Sequence, residues 1–447
     1  MADAILPGRP NDITVFGCTG SAGRAVSYHV IRSMTLPLKE PVTQPIQIAL
    51  AGRNQEKIQS TLTGILEELE LTEQEKVGLR ERISIVLADA SNELSMLELA
   101  RSSKVVISCA GPFGRYGEAA VKACISGGAH YLDITGEVDW VTHMMTKHNE
   151  AASMNRVTLC PFSGYDCLPA ELGMVLAGMT LQKTHGVKMK QVNLAFDCKK
   201  AGFPKGTLET TLDMNEKKTV VLGTKDVKFY PDEFHHTVQE ALAPGTVLKP
   251  MWSKHLGVYT APNFMSPINI PVLCRAASAL GFSNDLTITD RSVLSGKSSI
   301  WNGFKLFRTL IFTTVLILFN LMLKVSYFRN WLRKKLQTYS FNGNPEGSVI
   351  VHAEAMSATG KRATAKLEVP GDSGIYATGL FATTVALSLH EATREGATLH
   401  PLVGFHSPVV ALHACRPNII VDNLRRLGAQ VVINEELSSN TDKSKAN

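Results

Sequence analysis

A chain of 447 residues, 44% of them apolar, is long enough for two or three domains with a sizeable core. Its net charge of +6 is local: residues 291–345 hold nine basic residues and no acidic one, and the rest of the chain comes to −3. That distribution speaks against nucleic acid, whose partners spread basic residues over a face, because here they flank an oily run.

The eight cysteines include no C-x-x-C pair, which argues against a zinc site or a disulfide scaffold and reads as reduced intracellular thiols. Residues 1–10 resemble neither a signal nor a transit peptide. The final Lys445-Ala446-Asn447 is not a standard peroxisomal tripeptide. An intracellular protein is expected.

Residues 13–16 form an apolar run that reads as the buried first strand of a parallel sheet. Gly17, Gly20 and Gly23 follow at spacing three, and Val26, Val30 and Met34 then continue on one helical face. Strand, glycine turn and helix open a dinucleotide site, where the backbone turns sharply and a helix N-terminus meets a pyrophosphate. Gly17, Thr19, Gly20, Ser21, Ala22 and Gly23 are the residues expected to carry it. The spacing alone is weak, since glycines punctuate many turns; the clean strand beside it strengthens the reading.

A proline-bearing loop at 35–45 leads to a second strand, 46–51, which ends in Ala51-Gly52-Arg53. Sites for NAD end this strand in a carboxylate that bonds the ribose hydroxyl, whereas an arginine suits a 2′-phosphate. NADP(H) is therefore expected rather than NAD(H). The alternative is a surface arginine opening the helix at 56–71. A charged connector precedes the third strand, 83–88. Asp89 then either meets an adenine edge or caps the helix at 94–100. The fourth strand, 105–110, leads into Ala110, Gly111 and Pro112, whose backbone is expected along the nicotinamide ribose. A helix at 118–126, a strand at 131–135, a helix at 139–154 and a strand at 157–161 complete the alternation. The fold class is thus α/β, a Rossmann-type doubly wound parallel sheet. Tyr165 and Asp166 follow the sixth strand at the same edge and are the candidate catalytic residues; Asp166 serves equally as the N-cap of a helix from 170.

From about 187 onward the pattern changes. Val192-Asn193-Leu194-Ala195-Phe196 shows polar alternation, and 349–358 and 362–369 read as further strands. Between them, 231–271 has no strong period. A second α/β domain with a mixed sheet and an apolar helical segment is expected. The tail of the chain reads as a helix at 376–395, a short helix at 421–427 and a strand at 430–433. The expected division is a Rossmann domain at 1–175, with 376–435 packing back on it. The second domain takes 176–375 and contains the apolar block at 304–335, and 438–447 is a disordered tail. His235-His236 reads as surface. Neither G-x-S-x-G nor H-E-x-x-H is present, so hydrolase and metal chemistry have no foothold.

Residues 309–323 carry no charge and, as a helix, are apolar all round. This stretch rises about 22 Å at ~1.5 Å per residue, short of the ~30 Å hydrocarbon core. The homes left are a buried core or dimer-interface helix, or a monotopic insertion. Lys305, Arg308, Lys324, Arg329, Arg333, Lys334 and Lys335 flank the run, among Trp301, Phe304, Phe307, Tyr327, Phe328 and Trp331. Aromatic and basic residues of this kind mark a headgroup boundary, which favours insertion.

Five stretches in order resemble the saccharopine dehydrogenase-like oxidoreductases: Gly17-Cys-Thr-Gly-Ser-Ala-Gly23, Ala51-Gly52-Arg53, Ala110-Gly-Pro-Phe-Gly-Arg-Tyr-Gly-Glu118, Tyr131-Leu-Asp-Ile-Thr-Gly-Glu137 and Gly164-Tyr-Asp-Cys-Leu-Pro-Ala-Glu-Leu-Gly173. That family includes the trans-acting enoyl reductases of bacterial lipid synthesis. The resemblance is dense over the first 175 residues and returns near Tyr376. It implies a nicotinamide-dependent oxidoreductase with a Rossmann domain and a second α/β domain. Animal members of this type carry an apolar, basic-flanked segment in the second half and are found with lipid droplets and membranes. The family's Gly-Phe-Asp-Ser-Ile/Val-Pro is here Gly164-Tyr-Asp-Cys-Leu-Pro, with Cys167 in place of the serine. No arginine-rich dicarboxylate pocket is evident.

The expected function is an NADP(H)-linked reductase acting on a C=C or C=O of a small, lipid-like substrate. It would work at the cytosolic face of a membrane or lipid droplet, with a homodimer as an open possibility. The alternatives are a non-catalytic lipid-surface or scaffold protein that keeps the nucleotide, and a saccharopine-type amino-acid dehydrogenase.

Overall fold

The structure, a computed structural model, describes residues 8–37, 45–165, 167–217, 229–294, 302–394, 397, 399–415 and 418–436. The expected tail at 438–447, Asp166, Trp301, and the side chains of Phe304 and Lys305 lie outside the described residues.

Two seven-stranded sheets organise the chain. The first contains β1 (Asn11–Phe16), β2 (Ile48–Gly52), β3 (Ile83–Leu87), β4 (Ser103–Ser108), β5 (His130–Asp133) and β6 (Thr158–Cys160). The second contains β7 (Gln191–Lys199), β8 (Met251–Ser253), β9 (Val258–Pro262), β10 (Thr287–Val293), β11 (Ser348–Met356) and β12 (Arg362–Pro370). Two late strands, β13 (Gly404–Phe405) and β14 (Gln430–Glu436), add one edge to each.

The first sheet is parallel throughout, in the order β13-β6-β5-β4-β1-β2-β3. Its central strands are apolar on both faces because helices cover both: Ile13, Val15, Val105 and Ile107 are buried on one face and Phe16 and Val106 on the other. The reversal of strand order between β1 and β4 opens a crevice at their C-terminal ends, where ligands bind in such sheets.

The second sheet is mixed, in the order β14-β12-β11-β7-β10-β9-β8, with β7 and β10 parallel and the other pairs antiparallel. The alternation at 192–196 explains its two faces. Val192, Leu194 and Phe196 are buried, each contributing about 1.5–3 kcal/mol. Asn193 points the other way, donating to Glu354 at 2.9 Å and accepting from Thr289 at 2.8 Å. The helix Leu168–His185 leads from one sheet to the other and lies on β11 and β12, where Gly173 allows close approach to Ala353.

The C-terminal elements divide. The helix Tyr376–Ala392 packs against the first helix of the chain, Ser21–Ser33, and β13 joins the first sheet. The last strand instead pairs with β12 in the second sheet. Two further differences have local causes. The charged connector holds a helix, Glu73–Arg80, nucleated by a capping box between Thr72 and Glu75. The stretch 231–271, lacking any period, contains β8 and β9 and part of the helix Ser266–Ala279.

The apolar block is a helix, Asn302–Leu323, longer than its uncharged core. Its orientation is inside out. Thr309, Thr313 and Leu323 are buried against the domain, while Phe307, Leu310, Ile311, Val315, Leu318, Leu321 and Met322 are exposed. A second helix, Ser326–Thr338, follows. Two of its basic residues serve the fold: Arg329 donates to the Leu323 and Lys324 carbonyls, and Arg333 pairs with Asp213 and Glu216. Lys324, Lys334 and Lys335 stay outward, together with Tyr327 and Trp331.

Candidate functional site

The crevice is built from the glycine turn after β1. Gly17 has φ +82°, and a Cβ there would come within 3.0 Å of the Ala110 nitrogen, so the ends of β1 and β4 are pressed together. A Cβ on Gly23 would overlap the Gly17 carbonyl, which fixes the helix Ser21–Ser33 tightly on the turn. Gly20 differs from both. A Cβ there meets only the Gly17 oxygen, at 3.6 Å, and otherwise points into open space. Gly20 is also the N-cap of that helix and offers no side-chain cap. Thr19, Gly20 and Ser21 are exposed, Ala22 half-buried and Gly23 buried. The turn thus presents a bare helix N-terminus whose first N–H groups and dipole favour an anion.

Arg53 is exposed at the C-terminal end of β2 and makes no hydrogen bond or ion pair with another described residue. It is not needed to open the next helix, because Asn54 caps it by accepting from the Lys57 N–H at 2.8 Å. Asp89 lies near enough for Arg53 to help hold its carboxyl below the usual range, although its bonds from Ser91 do more. Those bonds, from the Ser91 N–H and hydroxyl at 2.9 and 2.8 Å, both go to one oxygen of the Asp89 carboxylate, Oδ1. The cap of the helix Glu93–Arg101 is Asn92, accepting from Ser95. Capping is therefore removed from the readings open for Asp89.

Residues 13–160 match the family described as the saccharopine dehydrogenase NADP binding domain. This part of the chain is an NADP-binding domain of the saccharopine dehydrogenase type. A human saccharopine dehydrogenase-like oxidoreductase is 35% identical over 170 residues, 37% of this chain and 37% of that one. A lipid droplet localized protein of Caenorhabditis elegans is 32% identical over 164 residues, 36% of this chain and 35% of that one. A Mycobacterium tuberculosis protein carrying the name of a trans-acting enoyl reductase is 23% identical over 285 residues, 62% of each chain. The chain therefore spans little more than a third of the length of the first two relatives.

The turn fits the cofactor of such a domain, since the one of its three glycines with open space on its Cβ side is Gly20, beside the bare helix N-terminus. Farther along the crevice of the NADP-binding domain, Ala110 and Pro112 are half-buried and Gly111 is exposed. The helix Phe113–Gly127 begins at once, and the Phe113 and Gly114 N–H groups donate to the two oxygens of the Glu137 carboxylate at 2.8 and 2.9 Å. This negative charge on a helix N-terminus is held electrostatically as well as by hydrogen bonds. Glu137, Arg115, Trp140, His143 and Met214 line a cavity of about 210 Å³ that reaches Pro112. Arg115 pairs with Asp213 at 2.7 Å across it.

Beneath the crevice lies Asp133, at the end of β5. It is fully buried and accepts from the Tyr131 hydroxyl at 2.7 Å and from the Thr135 and Phe162 N–H groups at 3.0 and 3.3 Å. Burial pushes its carboxyl up to about 7. Burial also pushes the Cys18 thiol up to about 12 and Cys109 higher still, so neither supplies a thiolate at neutral pH.

Of the two candidate catalytic residues, Tyr165 is described. Its hydroxyl lies 3.1 Å from the Cys198 sulfur on β7, its ring meets Phe196 edge-on, and its N–H donates to Thr378 at 3.4 Å. It therefore ties the loop after β6 to the second sheet. Asp166 lies outside the described residues. The helix expected from 170 starts at Leu168, with Cys167 at the N-cap and no side-chain cap bond.

Glu137 is the main site feature that sequence reasoning left without a role. It stands in the fifth-strand motif, but its partners are on another helix and nothing local marks them. Arg115 and Asp213 share that difficulty. Among the described residues, no group of three or more His, Cys, Asp or Glu is placed to hold a metal ion.

Proposed function

We propose that this protein is an NADP(H)-dependent oxidoreductase that reduces a C=C or C=O of a lipid-like substrate at the cytosolic surface of a membrane or lipid droplet. The observation that carries the surface assignment is the inverted helix Asn302–Leu323, with Thr309 and Thr313 inside and Phe307, Leu310, Ile311, Val315 and Leu318 outside. A core helix buries its apolar side, and one that faces water exposes its polar side. This helix leaves most of its apolar residues exposed, with Thr309 and Thr313 inside, as a helix against lipid should. Its length, about 33 Å at ~1.5 Å per residue, would reach across a hydrocarbon core. It nevertheless lies along β9 of its own domain, so it is read as inserted in the plane of the surface. Lys324, Lys334, Lys335, Tyr327 and Trp331 then sit at headgroup level. The names of the nematode and mycobacterial relatives support a lipid connection.

When bound, NADPH supplies a hydride. The chain's own residues do the rest. The glycine turn and the N–H groups of Ser21, Ala22 and Gly23 take the pyrophosphate, and Arg53 takes the 2′-phosphate. Ala110, Gly111 and Pro112 wall the nicotinamide end. Asp89 is assigned to the adenine edge. Proton delivery is assigned to the loop after β6, with Tyr165 the described candidate beside Asp166.

The test is turnover of NADPH by the full-length protein with long-chain enones and ketones in phosphatidylcholine–phosphatidylserine vesicles, against short soluble analogues. Oxidation of NADPH confined to the vesicle-borne compounds supports the proposal. NADPH binding without turnover on any of them would assign the protein to non-catalytic lipid-surface work.

A further inference from the structure

Between the helix Asn302–Leu323 and the second domain lies a cavity of about 270 Å³. Its walls are apolar and come from three directions: Leu316 and Ile317 from that helix, Phe264 and Ile268 from the region after β9, and Met214 from the helix Lys205–Lys217. The amides that border it have their N–H groups committed elsewhere. Asn215 donates to the Thr211 carbonyl at 2.9 Å, Asn320 to the Leu316 carbonyl at 2.9 Å, and Asn263 to the buried Asp290 carboxylate at 2.7 Å. The charged side chain that borders it, Lys324, is exposed at the end of the helix. Such a lining offers shape and apolar contact and little polar recognition.

Two placements give the cavity a direction. The wall formed by Leu316 and Ile317 is one side of the helix whose other side, at Ile311, Val315 and Leu318, is exposed apolar surface, and Leu321, exposed itself, lines the cavity between them. Hydrocarbon at that surface is one helix width from the cavity. Met214 lines both this cavity and the polar one that holds Glu137, Arg115, Trp140 and His143 beside Pro112. An unbranched, polarisable side chain therefore stands where the apolar space meets the polar space, and methionine re-packs readily around a guest. The volume is near the lower edge of the ~300–1,000 Å³ usual for small-molecule pockets, which suits one chain and not a two-chain lipid.

We infer that this cavity seats a single hydrocarbon chain of the substrate, drawn from the surface along the inner side of the helix Asn302–Leu323, with the reacting end passing Met214 toward the Glu137 cavity and the cofactor crevice. The inference rests on the lipid-like substrate proposed above and adds where that substrate lies. The chain has two available sources, a free fatty acid or an acyl chain of a bilayer phospholipid.

The test is photo-crosslinking of full-length protein, with adducts mapped by mass spectrometry. One arm uses a diazirine-bearing long-chain fatty acid, both in phosphatidylcholine vesicles and without vesicles. The other uses phosphatidylcholine carrying the diazirine on its acyl chain. Adducts on Met214, Phe264 or Ile268 are expected, and the arm that gives them identifies the source. Filling the cavity with Ile317→Trp, or separately Met214→Trp, should lower those adducts roughly tenfold, the scale of an overpacking penalty of about 1.4 kcal/mol. Adducts on the outward Leu310 and Leu318 and vesicle flotation should be unchanged in both variants, and NADPH affinity unchanged in Ile317→Trp, which also reports that the variants are folded. Adducts confined to the outward residues, or inner adducts indifferent to both substitutions, would overturn the inference while leaving the surface reading intact. Failure to float would remove the surface reading, and the vesicle-free arm would still decide whether the cavity takes a chain.

Discussion

The α-carbon of Gly23 is packed on the carbonyl of Gly17, so that a single methyl group on Gly23 would overlap the oxygen. Gly20, between them, faces open space. One glycine serves packing and the other leaves room, and substitution separates the two. Gly23→Ala should destabilise the NADP-binding domain by about 1–3 kcal/mol, the usual range for overpacking. Gly20→Val should leave the fold intact and abolish NADPH binding. Urea unfolding and titration calorimetry on both variants test the division. Retained NADPH affinity in a folded Gly20→Val protein would reduce the turn to a turn.

Arg53, itself exposed, has no hydrogen bond or ion pair with a described residue to lose and only a weak attraction to Asp89, so its removal should cost little stability. Its expected effect is on cofactor choice. Charge-assisted hydrogen bonds contribute about 1.5–3 kcal/mol, so Arg53→Ala should erase roughly tenfold to a hundredfold of preference for NADPH over NADH. Calorimetric titration with both cofactors measures this. Equal affinities in the unmodified protein would refute the assignment.

A buried acid gives a pH test. Glu171 is fully buried, accepts from the Ser407 hydroxyl and the Val409 and Val410 N–H groups, and has its carboxyl pushed by burial to about 7. In an unfolded chain the value is about 4.3. The folded state therefore holds a proton that the unfolded state releases between those values. The stability this contributes is full below about 4.3 and is lost as pH rises through about 7. Glu171→Gln mimics the protonated form and should remove that dependence. The stability of the unmodified protein relative to the variant should fall between about pH 4 and about pH 7. A constant difference across that window, from urea midpoints, would show Glu171 charged throughout.

The outward side of the helix Asn302–Leu323 can be altered without touching the core. Leu310→Lys with Leu318→Lys should change stability little, as surface substitutions usually do, and should leave NADPH affinity as it was. Flotation with anionic vesicles should be lost. A floating double variant would place the surface contact elsewhere.

Local patterns made much of the first domain legible. Runs of apolar residues marked its six leading strands, and the glycines and Arg53 marked the ends that face the crevice. What stayed hidden depends on distance along the chain. The two-residue β13 is too short to show a period and is a strand only because β6 lies beside it. β14 has the composition of either sheet, and its pairing with β12 comes from topology. Glu137 reads as an acid before a helix, yet its bonds go to Phe113 and Gly114 on another. The helix Glu73–Arg80 was available in principle, since Thr72 and Glu75 spell a capping box. The apolar run was plain in composition, but its inverted orientation follows from which side β9 covers.

The proposed reaction delivers hydride from NADPH to a lipid. The most direct measurement uses NADPH deuterated at the transferable position, full-length protein and vesicles made from a total membrane lipid extract, with the lipids read by mass spectrometry. A lipid species carrying one carbon-bound deuterium should accumulate with the unmodified protein and be absent with Gly20→Val. NADPH binding and flotation with no deuterium in any lipid would contradict the account.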